Sequence, residues 1–531
     1  LNLRDLFSGS PAAPPAPPVV TPDPAPDPAP RRRSRYIRPA RSFDAAVSDR
    51  LTTDWNPATV DINELLRAQL LPLQGRARHL VRNADYPTRW VSLVTDNVIG
   101  HQGIQIQSRA ASRRGDVDKQ AAREIEKHWR EWCEEHCDFL GQMQFLDMQH
   151  AAAASWATNG EFLLRKLYGA DGGRYGLRLQ MMDCMRLDPG YNVELGSGRE
   201  MKLGIERDVV GRILAYHLTN GRSGSTYTAA NGYDYVRIEA AHVIHGFLVQ
   251  EAGQMRGIPP MAPVMLRMQH LSKYEQAALV NARGGASTMG LLKNIDGDED
   301  AIDGDTDDGD GPVFEFEPGT FRKIPKGWDA QKFDPAYPNG ELPSFVKICL
   351  RGASAGLGVA YHGMTGDLES VNFSSGRIGE LKERLTWMRL QTWMARRLVR
   401  DAFNSWLREA LIRQIITVRR APLSLSHEDR YRLVTYRYKR WPWVDPAKDA
   451  NANETLHAMG ARSISEIIRD LGGEPEETFE EIARERKIMA SLGITPREVL
   501  GKVSKEAEVD GEDNDGAGDG GAGGPGQGDD S

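Results

Sequence analysis

The residues best placed by type and spacing to do chemistry begin with GASAG at 352–356, which matches the G-x-S-x-G nucleophile elbow. Ser354 would be the nucleophile, with Asp429 and His457 downstream in the right order. An elbow needs a strand before it and a helix immediately after, yet here a Gly-rich polar stretch follows and no glycine-rich oxyanion loop precedes. Small residues at a helix contact are the better reading. The acidic run DGDEDAIDGDTDDGD (296–310) sets Asp303, Asp305 and Asp307 at the first three EF-hand positions, but the glycine is displaced to Gly309 and Phe314 stands where Glu is required. The run is a solvated loop, a nonspecific divalent site, or a charged docking surface using Asp303, Asp305, Asp307 and Asp308. Cys133 and Cys137 lie one helical turn apart near His128 and His136, without the second pair that a zinc finger needs. Gly284, Gly285 and Gly290 do not make a P-loop, because no Gly-Lys-Ser/Thr follows. No catalytic, metal or cofactor-binding residue is therefore assigned, and no cofactor is expected.

The elements around these residues are mostly helical at both ends and strand-rich between. Residues 62–100 predict helix with Leu65, Leu66, Leu70, Leu80, Val81, Trp90, Leu93 and Val94 as core, and 116–137 predicts a helix with Ile125, Trp129, Trp132 and Cys133 on one side. The runs at 162–168, 177–183, 202–208, 212–219 and 241–249 are separated by Gly, Asn and Asp turns and read as strands. With no βαβ rhythm, the fold class is α+β with largely antiparallel strands. Pro259, Pro260 and Pro263 introduce a helix to about Asn281, with Val264, Leu266, Met268, Leu271, Tyr274, Ala278 and Leu279 as apolar positions. Phe345, Ile348, Leu350 and Leu357 suit a second packed helix. After Ser375, a plausible N-cap, Ile378, Leu381, Leu385, Met388, Val399, Phe403 and Trp406 form one apolar stripe on a long helix. That helix also carries Arg377, Lys382, Arg384, Arg389, Arg396, Arg397, Arg400, Arg408 and Arg413, suited to subunit contacts or to nucleic acid.

The chain has 531 residues, enough for several cores, and 67 Lys+Arg against 74 Asp+Glu gives a net charge of −7. That balance argues against a protein that wraps nucleic acid electrostatically. Four cysteines in so long a chain do not form a disulfide framework, which suits a reducing cytoplasm. No apolar run approaches the roughly 18 residues of a membrane span, so no membrane partner is expected. Ten prolines in 11–30 predict an extended tether, and RRRSRYIRPAR (31–41) adds a basic arm. Residues 505–531, mostly Gly, Asp and Glu with few hydrophobes, predict disorder.

Several blocks in one order complete the reading: RARHLVRNADY (76–86), NVIGHQGIQIQ (97–107), NGEFLLR (159–165), LGIERDVVGRILAYHL (203–218), MRGIPPMAPVM (255–265), EPGTF (317–321), FDPAYPNGELPSF (333–345) and LRGASAGLGVAYHGMTGDLESVNFSSGR (350–377). As a set, over roughly 44–495, they resemble the lambda-type tailed-phage portal proteins. Gln74-Gly75 and the acidic insert depart from that family's usual pattern.

The resemblance implies a portal fold, with a mixed wing domain, two-helix stem, clip, tunnel loop and helical crown assembled as a cyclic ring. On this chain, 1–43 would be linker and basic arm, 44–258 the wing region, 259–284 the first stem helix, and 285–342 the clip with its acidic insert. The second stem helix would be 343–361, the tunnel loop 362–376, the long helix and returning wing strands 377–444, the crown 445–500, and the acidic tail 501–531. It further implies a homo-oligomeric ring of twelve at one capsid vertex of the virion, assembled in the bacterial host cytoplasm. Double-stranded DNA would pass through it for packaging, retention and ejection. Its partners would be the terminase large subunit, major capsid and scaffold proteins, and head-completion or adaptor proteins. ATP hydrolysis would belong to the motor, not to this chain. The tunnel loop facing DNA would comprise His362, Gly363, Met364, Thr365, Gly366, Asp367, Leu368, Glu369, Ser370, Val371, Asn372, Phe373 and Ser374, a run without Lys or Arg. The competing readings are a serine hydrolase built on Ser354 and a soluble DNA-binding protein using the Arg-rich segments.

Overall fold

The computed structural model describes residues 59–219, 235–286, 290–294, 328–332, 342–369, 373–441, 446–471, 473 and 475–493. The chain divides into Leu1–Val60 and Asp61–Ser531, and the fold below is that of the second unit.

Helix α1 (Ile62–Asn83) begins where the Asp61 carboxylate accepts the Asn63 amide at 3.0 Å, and it buries Ile62, Leu66, Leu70, Ala77 and Leu80. Extended backbone at Ala84 separates it from α2 (Asp85–Val94), which continues as a π-turn at Thr95–Ile99. The predicted helical stretch is thus two helices, and Leu65 is exposed rather than core. Strand β1 (Gln105–Ser108) leads to α3 (Lys119–Glu131), capped by Asp118 and prolonged by a π-turn at Trp132–His136. Helix α4 (Phe145–Asn159) stops at Gly160, whose φ of 84° suits a residue without a Cβ.

The middle of the chain is antiparallel sheet. β2 (Glu161–Tyr168), β3 (Leu177–Met182), β4 (Val193–Gly196), β5 (Arg199–Lys202), β6 (Ile205–Arg207), β7 (Ile213–Thr219), β8 (Tyr235–Glu239) and β9 (Val243–Phe247) form two sheets, ordered β3-β2-β9 and β4-β5-β6-β7-β8. The run KLGIERD, expected as one strand, is a hairpin: Lys202 pairs with Ile205 across Leu203 and Gly204, both at positive φ. Leu203 and Ile205 on this hairpin are both buried, and Glu206 is itself buried and accepts Arg237 at 2.7 Å.

Helix α5 (Met265–Ala286) is followed by a β10 (Gly290–Asn294) and β11 (Trp328–Lys332) pair, then α6 (Leu342–Leu357) and the one-turn α7 (Tyr361–Thr365). Helix α8 (Phe373–Met394) passes through a π-turn at Ala395–Val399 into α9 (Arg400–Ile412), so the long helix exists but starts before Ser375, its expected cap. A small β12 (Thr417–Val418) and β13 (Ala421–Pro422) hairpin and α10 (Glu428–Tyr431) precede β14 (Val434–Arg437), which pairs with β1. Helices α11 (Pro446–Ala458), α12 (Ile464–Asp470) and α13 (Pro475–Ser491) follow.

One core gathers α2, α3, α4, α8 and α9 around Trp90, Trp132, Trp387, Trp406 and Phe403; a second lies between the N-terminal half of α1 and the five-stranded sheet. Three predicted apolar faces are corrected. On α5, Met268, Leu271 and Ala278 are buried, but Leu266, Tyr274 and Leu279 are exposed. On α6, Leu350 and Leu357 are buried whereas Phe345 and Ile348 are not. On α8, Leu381, Leu385 and Met388 face outward and the buried side is Trp387, Leu390, Gln391 and Met394. Each helix has apolar residues on more than one side, so spacing alone did not select the packed one.

Candidate functional site

Two glycines of α6 face Arg267 of α5 and Val264 just ahead of it. A Cβ on Gly352 would lie 1.9 Å from the Arg267 guanidinium, and one on Gly356 would lie 2.5 Å from the Val264 side chain. The GASAG run is therefore a small-residue helix contact. Ser354 sits mid-helix, buried, with an unpartnered hydroxyl. Asp429 is fully exposed beside Arg432, and the His457 ring contacts the Arg462 carbonyl on the helices after the sheet. The elbow reading fails because its serine lies within a continuous helix. We expect Ser354→Ala to raise stability by about 1 kcal/mol, since it removes a buried hydroxyl that lacks a partner. Denaturant unfolding checks this, and phage yield should be unchanged.

From α6 the chain turns at Gly358 (φ 70°) into α7 and then, through Gly366 (φ 73°), toward α8. This segment is braced on both sides. The Glu383 carboxylate of α8 accepts the Ala360 amide at 3.0 Å and the Trp387 indole N–H at 3.1 Å, while Arg89 of α2 donates to the Gly363 carbonyl at 3.3 Å. On the α6 side, Lys347 reaches Asp367 at 3.3 Å and Glu369 at 3.0 Å, and Arg351 lies over the Tyr361 ring at 5.6 Å. The Tyr361 hydroxyl donates to Asp367 at 3.0 Å. The Glu369 amide, the Tyr361 hydroxyl and Lys347 hold the Asp367 carboxyl below its ordinary value; Glu369 and Asp367 raise Lys347.

The expected tunnel loop is thus not a uniform polar loop. His362, Gly363, Met364 and Thr365 are helical, and Met364 is buried in the main core, because one turn of helix before a left-handed Gly366 drives it inward. Leu368 and Glu369 are exposed, and Asp367 is half-buried against Tyr361 and Lys347. Phe373 and Ser374 begin α8. Ser370, Val371 and Asn372 lie outside the described residues, as do Asp303, Asp305, Asp307 and Asp308. Although the run itself has no cation, α6 supplies one. Sequence reasoning missed Lys347, whose 22-residue separation from Glu369 leaves no local signal.

The Cys133 and Cys137 pair does not gather ligands: Cys137 Sγ contacts the Cys133 carbonyl at 3.3 Å, and burial pushes its thiol up to about 12. Among the described residues no group of three or more His, Cys, Asp or Glu could hold a metal ion, and no helix is long and apolar enough to cross a membrane.

The sequence profile described as phage portal protein, lambda family, matches residues 48–391, more than half of the chain. The chain belongs to that family. The family expected from the ordered blocks is the one that matches, and the role that follows is a portal role in the phage virion, as a structural component of the capsid. Among relatives, a probable portal protein of Halomonas phage phiHAP-1 is 28% identical over 464 residues, covering 86% of this chain and 88% of that one. The portal protein of Escherichia phage N15 is 23% identical over 517 residues (86% and 93% covered), and portal protein B of Escherichia phage lambda 22% over 493 (83% and 88%). Solved structures of a native gene transfer agent neck and virion are similar at TM-scores of 0.43 and 0.42 and identities of 13% and 14%, each covering 77% of this chain and 94% of the other.

Proposed function

We propose that twelve copies of this portal-family chain close into a ring whose channel carries double-stranded DNA, with α5 and α6 as the stem and the segment from Tyr361 to α8 as the tunnel loop. The observation that carries this reading is the connection itself: a close helix pair leads through a braced turn toward a long helix, and among the described residues of that turn the exposed side chains at its end are Leu368 and Glu369. Leu266, Leu279, Phe345 and Ile348 are exposed on the helix pair, and a neighbouring copy would cover them. Such a ring needs a heterologous contact whose rotation closes. In this reading 44–258 and 377–444 form the wing, 285–342 the clip and 445–500 the crown. The terminase large subunit and then head-completion or adaptor proteins dock in turn, with Asp303, Asp305, Asp307 and Asp308 as the docking charges of the clip. Major capsid and scaffold proteins would meet the ring during assembly in the host cytoplasm.

Cationic groups that contact a DNA duplex release its condensed counterions into solution, so each Lys repeated round a narrow ring brakes its passage in a salt-dependent way. Here Asp367 and Glu369 also neutralise Lys347. The double change Asp367→Lys, Glu369→Lys would turn one neutralised cation into three free ones per copy. Rings should assemble, since exposed ion pairs contribute little, but packaging or DNA retention should fall severalfold, most at low salt. The control Asp367→Asn, Glu369→Gln frees Lys347 alone and should show a smaller defect. Packaging assays on the two variants decide it; normal packaging by the double-lysine variant at low salt would remove this segment from the DNA path.

A further inference from the structure

The outer face of the long helix, from α8 through its π-turn to the first residue of α9, carries Lys382, Arg389, Arg396, Arg397 and Arg400, all exposed. On α8, Lys382 and Arg389 project away from Trp387, Gln391 and Met394, which pack into the core, and the exposed Arg396, Arg397 and Arg400 continue along the π-turn and the start of α9. Among the described residues none of the five has a carboxylate within ion-pairing distance, whereas Arg384 meets Glu380 and Arg408 meets Glu428 on the same long helix. Beside this cationic stripe runs the exposed apolar one of Leu381, Leu385 and Met388. A cationic and apolar double stripe on a rigid helix is a surface built for an acidic chain with occasional apolar residues.

The sequence contains such a chain. Residues 506–531 hold Glu506, Glu508, Asp510, Glu512, Asp513, Asp515, Asp519, Asp529 and Asp530 and no Lys or Arg, with Ala507 and Val509 set between the first acids. The last described helix before this segment is anchored at its N-terminal end near β1 and the start of α3. Helix α13 is tied by Glu476 to Arg109 at 3.7 Å and Lys119 at 3.2 Å, and by Glu480 to Arg123 at 3.1 Å. These cations flank β1 and start α3, and β1 pairs with β14 through Ile106 and Tyr436. The chain just after β14 meets α8, where the Gln391 side-chain amide donates to the Lys439 carbonyl at 3.1 Å. Between Gly493 and Glu506 the intervening residues can span roughly 40 Å at about 3.3–3.6 Å each.

We propose that the acidic segment 506–531 of this chain docks along the cationic face of α8, pairing its carboxylates with Lys382, Arg389, Arg396, Arg397 and Arg400. The contacts would be charge-assisted, with the guanidinium groups taking carboxylates two-pronged. The consequence is electrostatic: the segment occupies a face that would otherwise hold a nucleic-acid backbone, so the protein meets duplex DNA with that face covered.

The full-length protein treated with a zero-length carbodiimide joins ionised carboxylates to nearby amines, and Lys382 is the amine of this face. At about 50 mM salt Lys382 should link to carboxylates within 506–515, and the yield should fall severalfold in 0.5 M NaCl, where screening shortens to a few ångströms. Arg389→Glu with Arg396→Glu, both exposed, should cut the same cross-link severalfold while leaving the melting temperature near that of the parent. In a second measurement, removing residues 494–531 should raise affinity for a 30-base-pair duplex at low salt about tenfold, and the two Arg→Glu changes should cancel the gain. Linkage of Lys382 only to carboxylates within residues 59–493, of the same or a second copy, would overturn the proposal. So would duplex affinity unchanged by removal of the segment.

Discussion

Arg256→Ala should destabilise the protein by about 3–5 kcal/mol, among the largest losses a single side chain here can cause. Arg256 is fully buried, and its guanidinium donates to the equally buried Glu161 carboxylate at 2.6, 3.0 and 3.1 Å and to the Leu187 carbonyl at 2.6 Å. Glu161 also accepts from the Gly257 amide at 3.0 Å and Gln74 at 3.2 Å, and contacts His245 at 3.0 Å. The network ties α1, β2, β9 and the segment ahead of α5 where they meet. Removing Arg256 would strand a carboxylate without its counter-charge in a site water does not reach. Burial alone would raise the Glu161 carboxyl, but the Arg256 charge and the hydrogen bonds from His245 and Arg256 outweigh it and hold it well below its ordinary value. A depressed carboxyl stabilises the fold above the unfolded-state value and loses that contribution as pH falls toward the folded one. The parent should therefore keep this stabilisation at neutral pH and lose it below about pH 4.3, whereas Arg256→Ala should show a flatter acid limb. Denaturant titrations at pH 7 and pH 4 measure both; a loss under 1 kcal/mol at pH 7 would show that the pair is not what joins these elements.

Trp406→Ala should cost a comparable 3–5 kcal/mol or so, by cavity formation rather than charge. Trp406 is fully buried on α9, with ring centroids 5.2 Å from Trp129, 5.8 Å from Phe403, 5.9 Å from Tyr175 and 6.5 Å from Trp132. It joins the long helix to α3, to the π-turn that follows it, and to the β2–β3 connection. Trp406→Phe should retain part of the loss-free packing and cost clearly less than Trp406→Ala. Equal losses for the two variants in chemical unfolding would argue that the indole shape, and not the filled volume, is what the site requires.

What the sequence conveyed was set by how local each signal is. Strands such as β2 and β7 announce themselves through apolar β-formers between turn residues, and α3 through Ile125, Trp129 and Trp132 at helical spacing. β4, β5 and β8 were not legible, being short and rich in charge: Glu194, Arg199, Glu200, Lys202 and Arg237 lie in them. Which side of α5, α6 and α8 packs was not legible either, because Leu266, Ile348 and Leu385 are as apolar as their buried neighbours. The ordered blocks carried the family, and NGEFLLR and MRGIPPMAPVM contain Glu161 and Arg256, yet their pairing spans 95 residues and no local pattern encodes it. In the candidate site the glycines of GASAG were read correctly as a helix contact. The Lys347 pairing and the inward turn of Met364 depend on how α6, α7 and the core meet, and became visible only in three dimensions.

Electron microscopy of the purified protein distinguishes a ring of portal subunits around a channel from any other arrangement of this chain. Closed rings of twelve copies are expected, with a central hole wide enough for a DNA duplex, the α5–α6 pairs lining the narrow part and the exposed apolar residues of both helices covered by neighbouring copies. Particles that remain monomeric at high protein concentration, or that associate without a central hole, would contradict the ring.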